Sequence, residues 1–197
     1  MTSSIDISSN ALLLVGDNPI NSFDEPGNGA QVAKAIYPVT KQRLLSEHPW
    51  SFALKQQRLN RLSQTPDDKT NYQYAFQLPT DMIRIWNTQE HAEYIIIGNL
   101  LYSNLQSILC TYIFDVEETN LPPHFIKSLE YSLASDFAIA ITEDQNKAAL
   151  YEQKSRDAIN QAMAIDSQNR PQTGIIDAPL IDVRHGGSRN SYNYGGW

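Results

Sequence analysis

Cysteine is nearly absent from this chain, and that sets its first limits. Cys110 is the single cysteine in 197 residues, so no internal disulfide can form and a reducing compartment is its natural setting. It lies in Ser107-Ile108-Leu109-Cys110-Thr111-Tyr112-Ile113-Phe114, an apolar run of strand type with no histidine close in sequence. A small buried hydrophobe is expected there, not a nucleophile. Basic clusters are also missing. The 15 Lys and Arg are scattered and the formal net charge is −7, which argues against a dedicated nucleic-acid binder, because neutralising phosphates needs gathered cations. No apolar run approaches the roughly 20 residues of a membrane span. The opening Met1-Thr2-Ser3-Ser4-Ile5-Asp6 has no basic leader, so neither a membrane route nor a secretory signal is expected.

Catalytic signatures are lacking as well. There is no Gly-x-Ser-x-Gly elbow, no P-loop and no Gly-x-Gly-x-x-Gly. The triplet His185-Gly186-Gly187 is explained by turn-forming glycines. His48, His91, His124 and His185 stand 33 to 61 residues apart, far from metal-ligand spacing, so neither a metal nor another cofactor is expected. The acidic pairs Asp24-Glu25, Asp67-Asp68, Glu117-Glu118 and Glu143-Asp144 fall at loops or helix starts. There they face water or the positive end of a helix dipole. None is marked out as the two carboxylates of a glycosidase, and the residues give no catalytic set.

What is present describes a globular chain. Apolar residues make up 41% of it, enough at this length for a proper core. Ala11-Leu12-Leu13-Leu14-Val15 closed by Gly16 reads as a helix ending in a left-handed cap. Pro19 with Asn18, Asn21 and Ser22 makes a turn. A second helix, about 28–47, puts Val32, Ile36, Val39 and Leu44 near one face, with a kink or break expected at Pro38. Pro49 forbids continuation, and Trp50 and Phe52 alternating with Ser51 and Ala53 predict the start of a strand.

From about 50 to 116 the pattern is extended. Candidate strands are Leu54 to Leu62, Asn71 to Leu78 with alternating aromatics, Met82 to Trp86, a hairpin of Glu93–Ile97 and Leu100–Ser103 about Gly98-Asn99, and Ile108 to Phe114. Five or six short antiparallel strands predict one small sheet or barrel.

Helical periodicity returns at Pro122-Pro123, with Phe125, Leu129, Leu133, Phe137 and Ile141 forming an i, i+4 ridge over a helix of about 122–142, flanked by Ala134, Ala138 and Ala140. Thr142-Glu143-Asp144-Gln145 matches a capping box with Thr142 as cap, opening a helix of about 144–166 whose face carries Tyr151, Ser155, Ala158, Ala162 and Ile165. The two helices make a tight hairpin. Beyond Asn169 periodicity is lost; Leu180-Ile181-Asp182-Val183 is one short extended piece, and Gly187 to Trp197 is rich in Gly, Ser, Asn and Tyr. A segment with two Tyr and a Trp but no core pattern is expected to order on a partner. The fold class is therefore α+β: a helical bundle, a small antiparallel sheet or barrel, and an extended tail. Residues 1–168 form one domain and 169–197 the tail, with Trp50, Phe52, Tyr74, Phe76, Phe125, Leu129, Leu133 and Phe137 as structural core.

Two blocks carry a family resemblance. One is the order Ala11–Gly16, Pro19-Ile20-Asn21-Ser22, a helix, and His48-Pro49-Trp50-Ser51-Phe52-Ala53. The other is Tyr74-Ala75-Phe76-Gln77-Leu78-Pro79-Thr80-Asp81-Met82-Ile83-Arg84. Together they resemble the head-to-tail adaptors of short-tailed phages, the tail tubular protein A family, across about Ala11 to Ile165. The resemblance implies a structural virion protein, made in the host cytoplasm, that forms a twelve-fold homo-oligomeric ring. Its partners would be the portal protein, the tail nozzle protein and its own copies, with genomic DNA passing through the channel without sequence-specific contact. The C-terminal segment would embrace the portal, with Arg184, Arg189, Tyr192, Tyr194 and Trp197 as the contacts. An acidic chain fits such a conduit, since like charge keeps the genome from sticking. The alternatives are a tail-associated hydrolase of cell-wall glycan and a monomeric binding module. Because no strongly hydrophobic, uncovered patch is evident in the sequence, the isolated protein is expected to be a monomer or weakly associating, forming rings only on a template.

Overall fold

The computed structural model describes residues 2–63, 71–88 and 92–169. The class is α+β: four helices and two small antiparallel sheets.

Helix α1 (Ser4–Val15) starts in a reciprocal cap. The Ser3 hydroxyl accepts the Asp6 N–H at 3.1 Å, and the Asp6 carboxylate accepts the Ser3 N–H at 2.8 Å. Gly16, at φ 90°, closes the helix as its sequence foretold. Two carbonyls left over at this end are met from α4 (Gln145–Gln168): Tyr151 donates to Leu14 at 2.7 Å and Lys147 to Val15 at 3.0 Å.

Helix α2 (Asn28–Glu47) runs unbroken through Pro38. Its buried side is Ala30, Ala33, Tyr37, Lys41, Leu44 and Leu45, whereas Val39 is 66% exposed. The expected face holds at Leu44, is half-buried at Val32 and Ile36, and is corrected at Val39: Ala33 and Tyr37 turn fully inward because α3 (Pro123–Ala140) packs on that side. The ridge of α3 is as expected, with Phe125, Leu129, Leu133 and Phe137 fully buried. This central helix packs against α1, α2 and α4.

Between α3 and α4 the cap differs from the sequence expectation. Glu143 adopts φ 52°, and the N-cap is Asp144, whose carboxylate accepts the N–H groups of Asn146 and Lys147 at 3.0 Å each. Thr142 instead donates its hydroxyl back to Ala138 at 2.8 Å. On α4, Ala162 is buried but Ile165 is 44% exposed; the inward position next to it belongs to Asp166.

Trp50 does not begin a strand. It precedes a one-turn 3-10 segment, Ser51–Ala53, and its indole N–H donates to Leu44 at 3.0 Å. The ring is wholly buried and meets Phe125 edge-on at 5.2 Å, with Phe52 alongside at 5.9 Å. The corner is tight because an indole needs a donor partner when buried, and the end of α2 supplies one.

Seven strands follow: β1 (Leu54–Arg58), β2 (Asn60–Arg61), β3 (Tyr74–Gln77), β4 (Met82–Thr88), β5 (Tyr94–Ile97), β6 (Leu100–Ser103) and β7 (Leu109–Phe114). The single sheet expected from sequence is two, ordered β1-β7-β4 and β2-β3-β6-β5. The stretch from Leu54 to Leu62 divides at Leu59, which is buried while its neighbours join different sheets. The Gly98-Asn99 hairpin forms as read, Ile97 facing Leu100 and Gly98 at φ 62°.

Two buried clusters result. The helices with Trp50, Ala53, Ile113 and Val116 build the larger, and Leu59, Phe76, Leu78, Leu101, Ile108, Cys110 and Tyr112 the smaller. Phe52 and Tyr74, both assigned to the core, are half-buried at the margins of these clusters.

Candidate interaction surfaces

Several of the described residues with chemistry are engaged in holding the fold. Cys110 is buried, and burial pushes its thiol up to about 11, away from thiolate reactivity. His48 ends α2 and His124 lies in the first turn of α3, while His91 and His185 lie outside the described residues. Among the described residues no three His, Cys, Asp or Glu gather at metal-binding distance.

One Ser–His–Asp grouping does occur. The buried Asp166 accepts the Ser51 hydroxyl at 2.5 Å and the Ser51 N–H at 3.0 Å, and His48 Nε2 lies 3.6 Å from its other oxygen. The carboxylate stands between serine and imidazole, so the hydroxyl proton is aimed at Asp166. A catalytic triad requires the imidazole in that middle position; this cluster is a brace between α4 and the Ser51 turn.

The acidic pairs divide similarly. Asp24 pairs with Lys34 at 2.6 Å, Asp144 caps α4, and Asp67-Asp68 fall outside the described residues. Glu118 joins Asp115 around the Lys41 ammonium at 3.0 and 2.9 Å and accepts from the Tyr37 hydroxyl at 3.1 Å. Partial burial pushes the Glu118 carboxyl up, but its hydrogen bonds, first among them that from Lys41, outweigh this and hold it below the usual range.

The sheet edges are the informative surface. Natural sheets blunt their edges with charge, brevity or bulges. Among the described residues, three of the four sheet edges are blunted. β1 shows water Lys55-Gln56-Gln57-Arg58, β2 is two residues long, and β4 has register shifts at Met82/Arg84 and Ile85/Asn87. The fourth, β5, is Tyr94-Ile95-Ile96-Ile97, in regular register with β6, with side chains 37–49% exposed on both faces of the strand. This corrects the expectation that no uncovered apolar patch exists. The signal was readable: four successive apolar residues fit a strand covered on both sides, and the hairpin supplies neither cover.

A second uncovered surface lies on the helices. A cleft of about 520 Å³ between α2, α3 and α4 is lined by Arg43, Asp136, Ile139, Glu152, Arg156 and Ile159, among others. It adjoins a shallower groove of about 470 Å³ under Ile36, Val39 and Ile139. Val39 and Ile139 are 66% and 60% exposed. The carboxylates at the cleft are engaged: Glu47 by Arg43, Asp136 by the Thr40 hydroxyl, Glu152 by Arg156.

The portal-contact residues expected in the tail, Arg184, Arg189, Tyr192, Tyr194 and Trp197, lie outside the described residues. No family model matches the chain, and no curated protein matches it.

Proposed function

We propose that this chain is a structural subunit of a short-tailed phage particle, one copy in a ring that joins the portal to the tail nozzle and leaves a channel for the genome. The observation that carries the reading is that, among the described residues, the edge β5 is unblunted while the other three sheet edges are blunted. An apolar edge open on both faces is an aggregation hazard unless a partner covers it. The helical groove under Val39 and Ile139 is a second uncovered surface, of different shape and on different elements. Head-to-tail contacts join unlike surfaces of one chain, and those that close make rings; two uncovered surfaces on different elements suit such contacts. The sequence blocks that resemble the adaptor family support the same reading, and the net charge of −7 suits a DNA conduit.

The test is assembly. Purified protein alone is expected to sediment as a monomer at low concentration. Mixed with isolated portal rings, it is expected to add a layer visible by electron microscopy, to which nozzle protein then binds. Release of sugar from purified cell-wall glycan, with no layer on the portal, would favour the hydrolase alternative instead.

A further inference from the structure

We infer that neighbouring copies are tied by strand addition: Leu180-Ile181-Asp182-Val183 of one copy lies antiparallel along β5 of the next, adding a fifth strand to its four-stranded sheet. This rests on the ring reading and names the contact that links its subunits.

The edge itself sets the terms. Ile97 and Leu100 close a two-residue hairpin, and in such a hairpin the closing pair exchanges both hydrogen bonds. Ile95 and Ile97 therefore turn their peptide groups to β6, while Tyr94 and Ile96 turn theirs outward. An added strand gains two such residues to pair with, and apolar side chains on both faces of β5 to pack against.

The occupant follows from the chain beyond α4. Residues 170–197 follow the last described residue, and within them the Leu180–Val183 piece has the four-residue length of β5. Pro179 stops it on one side and Gly186-Gly187 on the other. Laid antiparallel, Ile181 falls opposite Ile96 and Val183 opposite Tyr94, the two outward-bonding positions. The next pair outward is then Arg184, which the resemblance would assign to the portal, against Glu93 of the neighbouring copy: opposite charges on directly facing positions, with Glu93 exposed beside the strand. At Pro179 the ladder has reached Gly98 and the turn, so the missing N–H of proline forfeits nothing.

Reach permits a neighbour. The eleven residue steps from Asn169 to Leu180 span at most about 40 Å extended, enough to cross the width of a small domain. A four-residue strand pair buries far less than the roughly 1,000 Å² of a stable binary interface. The contact therefore holds only where a template keeps copies side by side, through effective concentration.

Crosslinking in the full-length protein tests this. One copy, carrying an affinity tag, bears Ile96→Cys; an untagged copy bears Ile181→Cys; Cys110 is buried and does not compete. Mixed on portal rings under mild oxidation, they are expected to give a tagged–untagged disulfide. Glu93→Arg in the tagged copy should lower its yield at least fivefold, and Arg184→Glu in the untagged copy should restore it. Rings that form on the portal without this crosslink overturn the strand addition and leave the ring standing. A chain carrying both cysteines that closes on itself, with no joined pair, also overturns it by placing the segment on its own β5. Should no ring form on any portal, the same mixture at high concentration in free solution decides: the crosslink there upholds the strand addition without the ring, and its absence overturns both.

Discussion

Asp166 holds Ser51 by three hydrogen bonds across 115 residues of sequence. Both carboxylate oxygens take the Ser51 peptide N–H at 3.0 Å, and one also takes its hydroxyl at 2.5 Å. The last turn of α4 thereby fixes the point where the helices hand the chain over to the sheets. Asp166→Ala strands a peptide N–H and is expected to cost about 2–3 kcal/mol. Ser51→Ala keeps the peptide bonds and should cost no more than about 1 kcal/mol. Urea unfolding of both variants measures the difference; equal losses would contradict the brace.

Trp50→Ala removes a wholly buried indole, its bond to Leu44 and its edge contact with Phe125. The expected loss is roughly 3–5 kcal/mol. A variant that melts like the parent but fails to assemble would move Trp50 to an interface.

The Lys41 cluster makes stability depend on acid. Glu118 titrates below its ordinary value in the folded chain, so its contribution is present above the unfolded carboxylate pKa and is lost as pH falls through the lower folded value. Lys41→Met takes away the main cause and leaves Asp115 and Glu118 facing each other; a loss of about 1–3 kcal/mol near neutral pH is expected. Chemical denaturation at pH 7 and pH 3.5 should show that gap narrowing in acid. A gap of constant size contradicts the assignment.

Ile95→Lys combined with Ile97→Lys charges the free edge without touching either core. Stability should stay within about 0.5 kcal/mol of the parent, since surface changes of this kind rarely do more, while ring formation on the portal is lost. Ile96→Pro should behave alike, because the N–H it removes points away from β6. Normal rings from both variants would show that β5 stays uncovered in the assembly.

Deleting Ser188–Trp197 is expected to leave thermal melting unchanged and weaken portal binding. Aromatic anchors at interfaces are worth about 2 kcal/mol or more each, and many copies multiply a weak single contact. A sharp fall in melting temperature, with binding per folded molecule unchanged, would place those residues in the fold instead.

Sequence reading succeeded where the cause is local. Gly16 ends α1 because only glycine takes φ 90° without strain, and the ridge Phe125 to Phe137 is a matter of helical spacing. It missed where a distant residue decides. Trp50 turns into a 3-10 segment because Leu44 and Asp166 hold it there, and Leu59 splits a strand because a second cluster claims its side chain. Asp144 displaced Thr142 as cap once Glu143 had turned the chain. For the surfaces, Tyr94-Ile95-Ile96-Ile97 was visible as a strand, but its exposure depended on its place at the end of the sheet order.

The central place of β7 has a mechanical consequence. Ile113 belongs to the helical cluster, Cys110 and Tyr112 belong to the other, and Phe114 packs against both. One strand is thus a shared wall: among the described residues, the two clusters meet at β7 itself. A pull on the β5 side would be borne through β7 by the helices as one rigid lever, and heating should melt both halves in a single transition.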